Sequence, residues 1–250
     1  MSTLLSRAVL VVAALALASE AAAEVCRLPD FGTATVGGIH DGRTLLLADG
    51  RELRLAAIEA DETGRAALQE LAGGKTLRLE TLGPGVDRYG RVVAFAYAGN
   101  AREPLQQLML EQGYARVSAR VGPKPCADRL LAAEAAARAA RRGIWANPNF
   151  APLPSQSAER ISSALGQFAL VEGKVLSVRE SGATIYLNFG LRWTRDFSVT
   201  VPKKRLREFA TAGMDPKDLV GRKVRVRGWV EVRHGPVIQA LAPEQIELAD

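Results

Sequence analysis

A chain of 250 residues that is 48% hydrophobic and 24% charged has the apolar content of one large or two small globular domains, which excludes wholesale disorder. Its net charge of +6 favours anionic partners, though mildly. Two cysteines are too few for a disulfide scaffold or a cysteine-rich zinc module, and two histidines far apart in sequence, His40 and His234, argue against a zincin or a serine hydrolase; both read as surface turn residues.

Near its start the chain carries Arg7, an apolar run over 8–18 and the small residues Ala21, Ala22 and Ala23. This is the order of a secretory signal peptide over 1–23, too short to span a bilayer. The expected mature chain starts at Glu24, in the periplasm or outside the cell, with no stable membrane insertion; no Leu-x-x lipobox precedes Cys26. In an oxidising compartment Cys26 and Cys126 are expected to form one disulfide. Closing so long a loop would stabilise the fold by about 4–5 kcal/mol in the chain-entropy view.

Short strands come next, over 35–39 and 44–48 around the Asp41-Gly42 turn and over 51–60 after Asp49-Gly50. A helix over 64–71 stops at Gly73-Gly74. Strands follow over 75–81 and 91–98. Pro104 then opens a helix with Leu105, Leu108 and Met109 on one face, and an Ala-rich helix spans 127–142. Residues 146–165 hold Pro148, Pro152, Pro154, Ser155 and Ser157 and read as a linker. It separates a domain over 24–145 from one over 166–250, and most of the net positive charge falls in the second. That second part has strands over 168–178, 184–189 and 193–201, a helix after Pro202, and strands over 223–232 and 237–241. Five strands with a helix after the third is the element order of an OB-fold barrel, and both parts follow it.

The first domain carries HDGRT (40–44), ELRLAAIEADE (52–62), DRYGRVVAFAY (87–97), LEQGYARV (110–117) and AARRGIW (139–145). With these pieces residues 33–145 resemble the staphylococcal-nuclease (thermonuclease) family. The resemblance implies an OB-type barrel with added helices, so the expected fold class is mainly β with α (α+β), followed by a second five-stranded OB-like barrel. It also implies hydrolysis of DNA and RNA phosphodiesters with Ca²⁺. By position, Arg54 and Arg91 match the catalytic arginines, whose guanidinium forks neutralise a phosphodiester transition state. Glu62 matches the carboxylate that orients or deprotonates water.

The metal site departs from the family pattern. Where the family has Asp-Gly-Asp-Thr this chain has Asp41-Gly42-Arg43-Thr44; Glu59 stands for a liganding aspartate, and Asp61 for a proline. A hard divalent ion wants several oxygen ligands, and a guanidinium in place of a carboxylate repels it. Two readings follow. In the favoured one Arg43 pairs with Glu59 and takes the cation's place, so that no cofactor binds. In the other Arg43 swings away, and Glu59, Asp41 and Asp61 hold Ca²⁺ in a weaker site.

The second domain shows no catalytic constellation. Lys223, Arg225 and Arg227 alternate along one strand with Trp229 continuing the face, and Lys203, Lys204, Arg205 and Arg207 open the helix. Tyr186, Phe189, Trp193 and Phe197 lie on neighbouring strands. A basic face with interleaved aromatics suits single-stranded DNA or RNA. The expected function is an exported thermonuclease-family protein, its hydrolysis weakened by the altered metal site. The alternative is an inactive relative that binds nucleic acid or another polyanion in the cell envelope.

Overall fold

The computed structural model describes residues 26–249; the expected leader and its cleavage point lie outside the described residues. The first barrel begins with β1 (Asp30–Ile39), β2 (Thr44–Leu47), β3 (Glu52–Leu55) and β4 (Ile58–Glu59), continues through α1 (Arg65–Ala72), and ends with β5 (Thr76–Val86) and β6 (Val92–Ala98). Strands β1-β2-β3-β6-β5 close on themselves, with β3 and β6 parallel. Strand alternation sends Leu45, Leu47, Leu53, Leu55, Leu77 and Leu79 inward, so Arg54 between Leu53 and Leu55 faces outward. The helices α2 (Leu105–Glu111) and α3 (Lys124–Ala139), with the short β7 (Arg116–Val117) between them, cover the barrel. Cys26 and Cys126 form a disulfide that ties the start of the described chain to the first turns of α3.

The single strand expected over 51–60 is two. Ala57 takes φ of 65°, a left-handed conformation that turns the chain out of the barrel sheet. Glu59 then pairs with Arg116 in the β4–β7 ladder. This break aims Glu59 away from the barrel strands and toward the second domain.

The second unit contains β8 (Leu153–Pro154), α4 (Ala158–Ser162), β9 (Phe168–Lys174), β10 (Ser177–Ser181), β11 (Thr184–Asn188), β12 (Ser198–Pro202), α5 (Leu206–Thr211), β13 (Lys223–Val232), β14 (Pro236–Gln239) and β15 (Ile246–Leu248). β9 and β10 are halves of one bent strand. At the bend the Val175 amide donates to Arg222 O and the Leu176 amide to Asn188 O. The first half thus pairs with β13 and the second with β11. With β12 parallel to β14, this is the strand plan of the first barrel repeated. Residues 193–197 are a turn rather than the start of a strand, because the Asp196 carboxylate accepts the Arg192 amide at 2.8 Å. Phe189 and Phe197 are core residues.

The segment 146–165 does not behave as an open spacer. β8 adds to β9 as a parallel neighbour, Ser155 is buried, and Ile161 of α4 is in the second core. The two barrels also share a small apolar cluster of Ala137, Ile144 and Trp145 with Phe168 and Leu170. Beside it Arg227 of β13 is buried against Glu134 of α3, both 0% exposed. Its guanidinium donates to Glu134 Oε2 (2.8 Å), Glu134 Oε1 (3.2 Å), Val117 O (3.0 Å) and Glu247.

On β13, where a nucleic-acid face was expected, each cation meets a carboxylate, and Arg227 is too buried to be part of such a face. Lys223, Arg225 and Arg227 do share one side of β13, exposed at Lys223 and buried against the first barrel at Arg227. Arg225 pairs with Glu172 and Glu247, and Lys223 pairs with Glu172. Three carboxylates consume the charge the sequence seemed to leave free.

Candidate functional site

The Asp41–Thr44 turn is held by its own first residue: Asp41 Oδ1 accepts the amides of Arg43 (2.8 Å) and Thr44 (2.7 Å), an Asx turn. Gly42 lies so close to the 58–62 loop that a Cβ on it would fall 1.8 Å from Asp61 O. The turn and the loop therefore touch backbone to backbone, which brings Arg43 onto Glu59. The two form an ion pair, 13% and 14% exposed, and Arg43 also donates to Ile58 O at 3.0 Å. Burial raises the Glu59 carboxyl above its ordinary value, while the Arg43 and Arg54 charges work against it.

The remaining expected residues divide into two groups. Arg54 on β3 and Arg91 at the entry to β6 lie on neighbouring parallel strands, since Arg54 is in register with Val93. Burial, and then the positive charge of Arg43, lowers the Arg54 guanidinium from its ordinary value; Arg91 adds to this and Glu59 opposes it. Arg91 is braced by Asp87 through Nε (2.8 Å) and Nη2 (2.7 Å). Glu62 is 65% exposed and meets Arg65 at 2.9 Å. Asp61 takes another role: its Oδ1 accepts the Thr63 amide (2.9 Å) and hydroxyl (2.5 Å), capping the turn that leads into α1.

These donors do not fit a hard divalent ion. Asp41 is used by its own turn, Asp61 by a cap, and Glu59 by Arg43. Among the described residues no group of three or more His, Cys, Asp or Glu could hold a metal.

Residues 53–147 match the family model of the staphylococcal nuclease homologues. That segment carries a staphylococcal-nuclease-like domain. Arg54, Glu59, Glu62 and Arg91 fall inside the matched segment, whereas the Asp41–Thr44 turn precedes it. The nuclease family is a family of phosphodiesterases that usually use Ca²⁺. No curated protein matches the chain.

The second barrel adds a wall to the nuclease domain. A cleft of about 710 Å³ between them is lined by Arg43, Glu59, Asp61, Arg116, Arg160 and Trp229, among others. Trp229, expected on a nucleic-acid face, stands here, edge-on to Phe168 with ring centres 6.0 Å apart. Arg116 was not singled out from the sequence. It donates to Phe168 O at 2.9 Å and has no carboxylate partner among the described residues; burial lowers its guanidinium from the ordinary value, with Asp61 and Glu134 opposing. Only the β4–β7 pairing, a tertiary contact, sets it beside Glu59. On the second barrel's helix entry Lys203 pairs with Glu180 at 2.9 Å, and Lys204 is exposed with no ion pair among the described residues. No helix among the described residues is long and apolar enough to cross a membrane.

Proposed function

We propose that the protein binds single-stranded nucleic acid through its nuclease-homologue domain without Ca²⁺-dependent hydrolysis. The observation that carries this reading is the Arg43–Glu59 ion pair, which puts a guanidinium where the family sequence pattern has a liganding carboxylate. A cation there would meet a fixed positive charge and one carboxylate already neutralised. Arg54 and Arg91 keep outward guanidinium groups on adjacent strands. Each can present a planar pair of N–H donors to a phosphate. Without a metal, a bound water keeps its ordinary acidity, so Glu62 alone faces a poor nucleophile. We further propose that the protein acts after export, which the Cys26–Cys126 disulfide supports, since such bonds persist in oxidising compartments.

The test is binding of a fluorescent dT12 oligonucleotide by anisotropy in low salt with EDTA present. Wild type should bind, and Arg54→Ala with Arg91→Ala should weaken binding at least tenfold and reduce the salt slope by about 0.7 per lost phosphate contact. Equal affinity of the double variant and wild type would overturn the reading.

A further inference from the structure

The second barrel carries a cavity of about 510 Å³ on its outer face, within the size range of ligand sites. Its floor is polar: Tyr186 and Asn188 of β11, and Ser198 and Thr200 of β12, in register across the two strands. Thr200 is 1% exposed, and its Oγ1 has no hydrogen-bond partner, a state that costs about 1–3 kcal/mol unless a bound group answers it. The turn over 190–196 and the β13–β14 turn overhang this floor. They bring Trp193 and His234 together edge to face, ring centres 5.8 Å apart, with Trp193 still 62% exposed.

The cavity is not isolated. His234 and Gly235 also line a second cavity of about 750 Å³ that contains Arg160, Arg192 and Arg195. Arg160 in turn lines the interdomain cleft beside Arg43 and Arg116. Three concavities thus run in series from the nuclease-homologue domain to Trp193. Arg160, Arg179, Arg192 and Arg195 along this line make no ion pair among the described residues. This contrasts with β13, whose cations are all answered by glutamates.

We infer that this line is a single-stranded nucleic-acid track ending in a base pocket. One base stacks on the open face of the Trp193 ring, its polar edge meets the Tyr186, Asn188 and Thr200 floor, and the following phosphates cross Arg195, Arg192 and Arg160 toward the cleft. Unpaired arginines favour a polyanion over a neutral glycan, and an exposed indole accepts any base face. The track extends the reading above to a second domain and uses none of Arg54, Arg91 or Glu62.

The experiment is titration of the full chain with dT12 and, separately, with neutral chitohexaose, following tryptophan emission and binding together. Wild type should show emission quenched by dT12. Trp193→Ala should lose that quench and bind about tenfold more weakly, while Trp193→Phe, which keeps a stacking ring, should stay within about threefold of wild type. Arg192→Ala with Arg195→Ala should lower the salt slope by about 0.7 per arginine. Arg54→Ala with Arg91→Ala should keep the quench, which separates failure of the first-barrel reading from failure of this one. Full quench and affinity in Trp193→Ala, or quenching by chitohexaose and not by dT12, would overturn the track.

Discussion

Removing the Arg227 guanidinium should separate the two barrels. Arg227 is fully buried and donates to Glu134, Glu247 and Val117 O, so Arg227→Ala leaves two carboxylates facing an emptied space. Breaking a buried pair from one side costs about 3–5 kcal/mol. The lower end applies here, because Glu134 keeps the Val117 amide (2.6 Å) and Arg138 (2.7 Å), and Glu247 keeps the more distant Arg138 (4.0 Å) and Arg225 (3.9 Å). A loss of about 3 kcal/mol corresponds to roughly 6–12 °C in Tm for a chain of this size. Scanning calorimetry should show one transition for wild type and two for the variant, with the apolar cluster around Trp145 too small to hold the barrels together. The same pair sets an acid limit. Burial pushes the Glu134 carboxyl up, but Arg227 and the Val117 amide outweigh this and hold it below its ordinary value. A depressed carboxylate contributes stability above its unfolded value of about 4.5, which is lost as pH falls through the folded value. Wild type should therefore lose its single transition in acid below that point. A Tm for Arg227→Ala within a degree of wild type, with one transition, would refute this account of the interface.

The disulfide leaves no free thiol among the described residues, so denatured, non-reduced protein should take up no alkylating agent, as read by intact mass; Cys126→Ala should lower stability by about 2–5 kcal/mol. Gly42→Ala forces a Cβ onto Asp61 O and should cost about 1–3 kcal/mol in denaturant unfolding while also releasing Arg43 from Glu59. Because β8 and Ile161 are built into the second barrel, trypsin should cut at Arg160 no faster than at exposed arginines within either barrel, as followed by mass spectrometry of timed digests.

The element order of both barrels was legible because strand alternation and helix spacing are local. Leu53 and Leu55 bracket Arg54 in a period of two, and Leu105 and Met109 fall on one helical face. The pairing of Arg43 with Glu59 was also readable, since a charge reversal beside a carboxylate has few other outlets. What the sequence hid was long-range. The cations of β13 look like a solvated face until Glu134, which lies 93 positions earlier, reaches Arg227. The prolines at 148, 152 and 154 suggest a spacer, yet a two-residue strand there finds β9. Arg116 and the Trp193 pocket depend on turns that only the assembled barrels bring into place. The break at Ala57, a left-handed residue with no glycine to announce it, redirected Glu59 in the same way.

The central claim is that Arg43 excludes the cation, and Ca²⁺-dependent cleavage of single-stranded DNA measures it most directly. Wild type, with and without Ca²⁺, should give the same uncut gel pattern and no Ca²⁺-dependent rise in Tm. Arg43→Asp, alone or with Glu59→Asp, should gain a Ca²⁺-dependent Tm increase as a carboxylate returns beside position 59. Brisk Ca²⁺-stimulated cleavage by wild type, abolished by Arg91→Ala, would contradict the account.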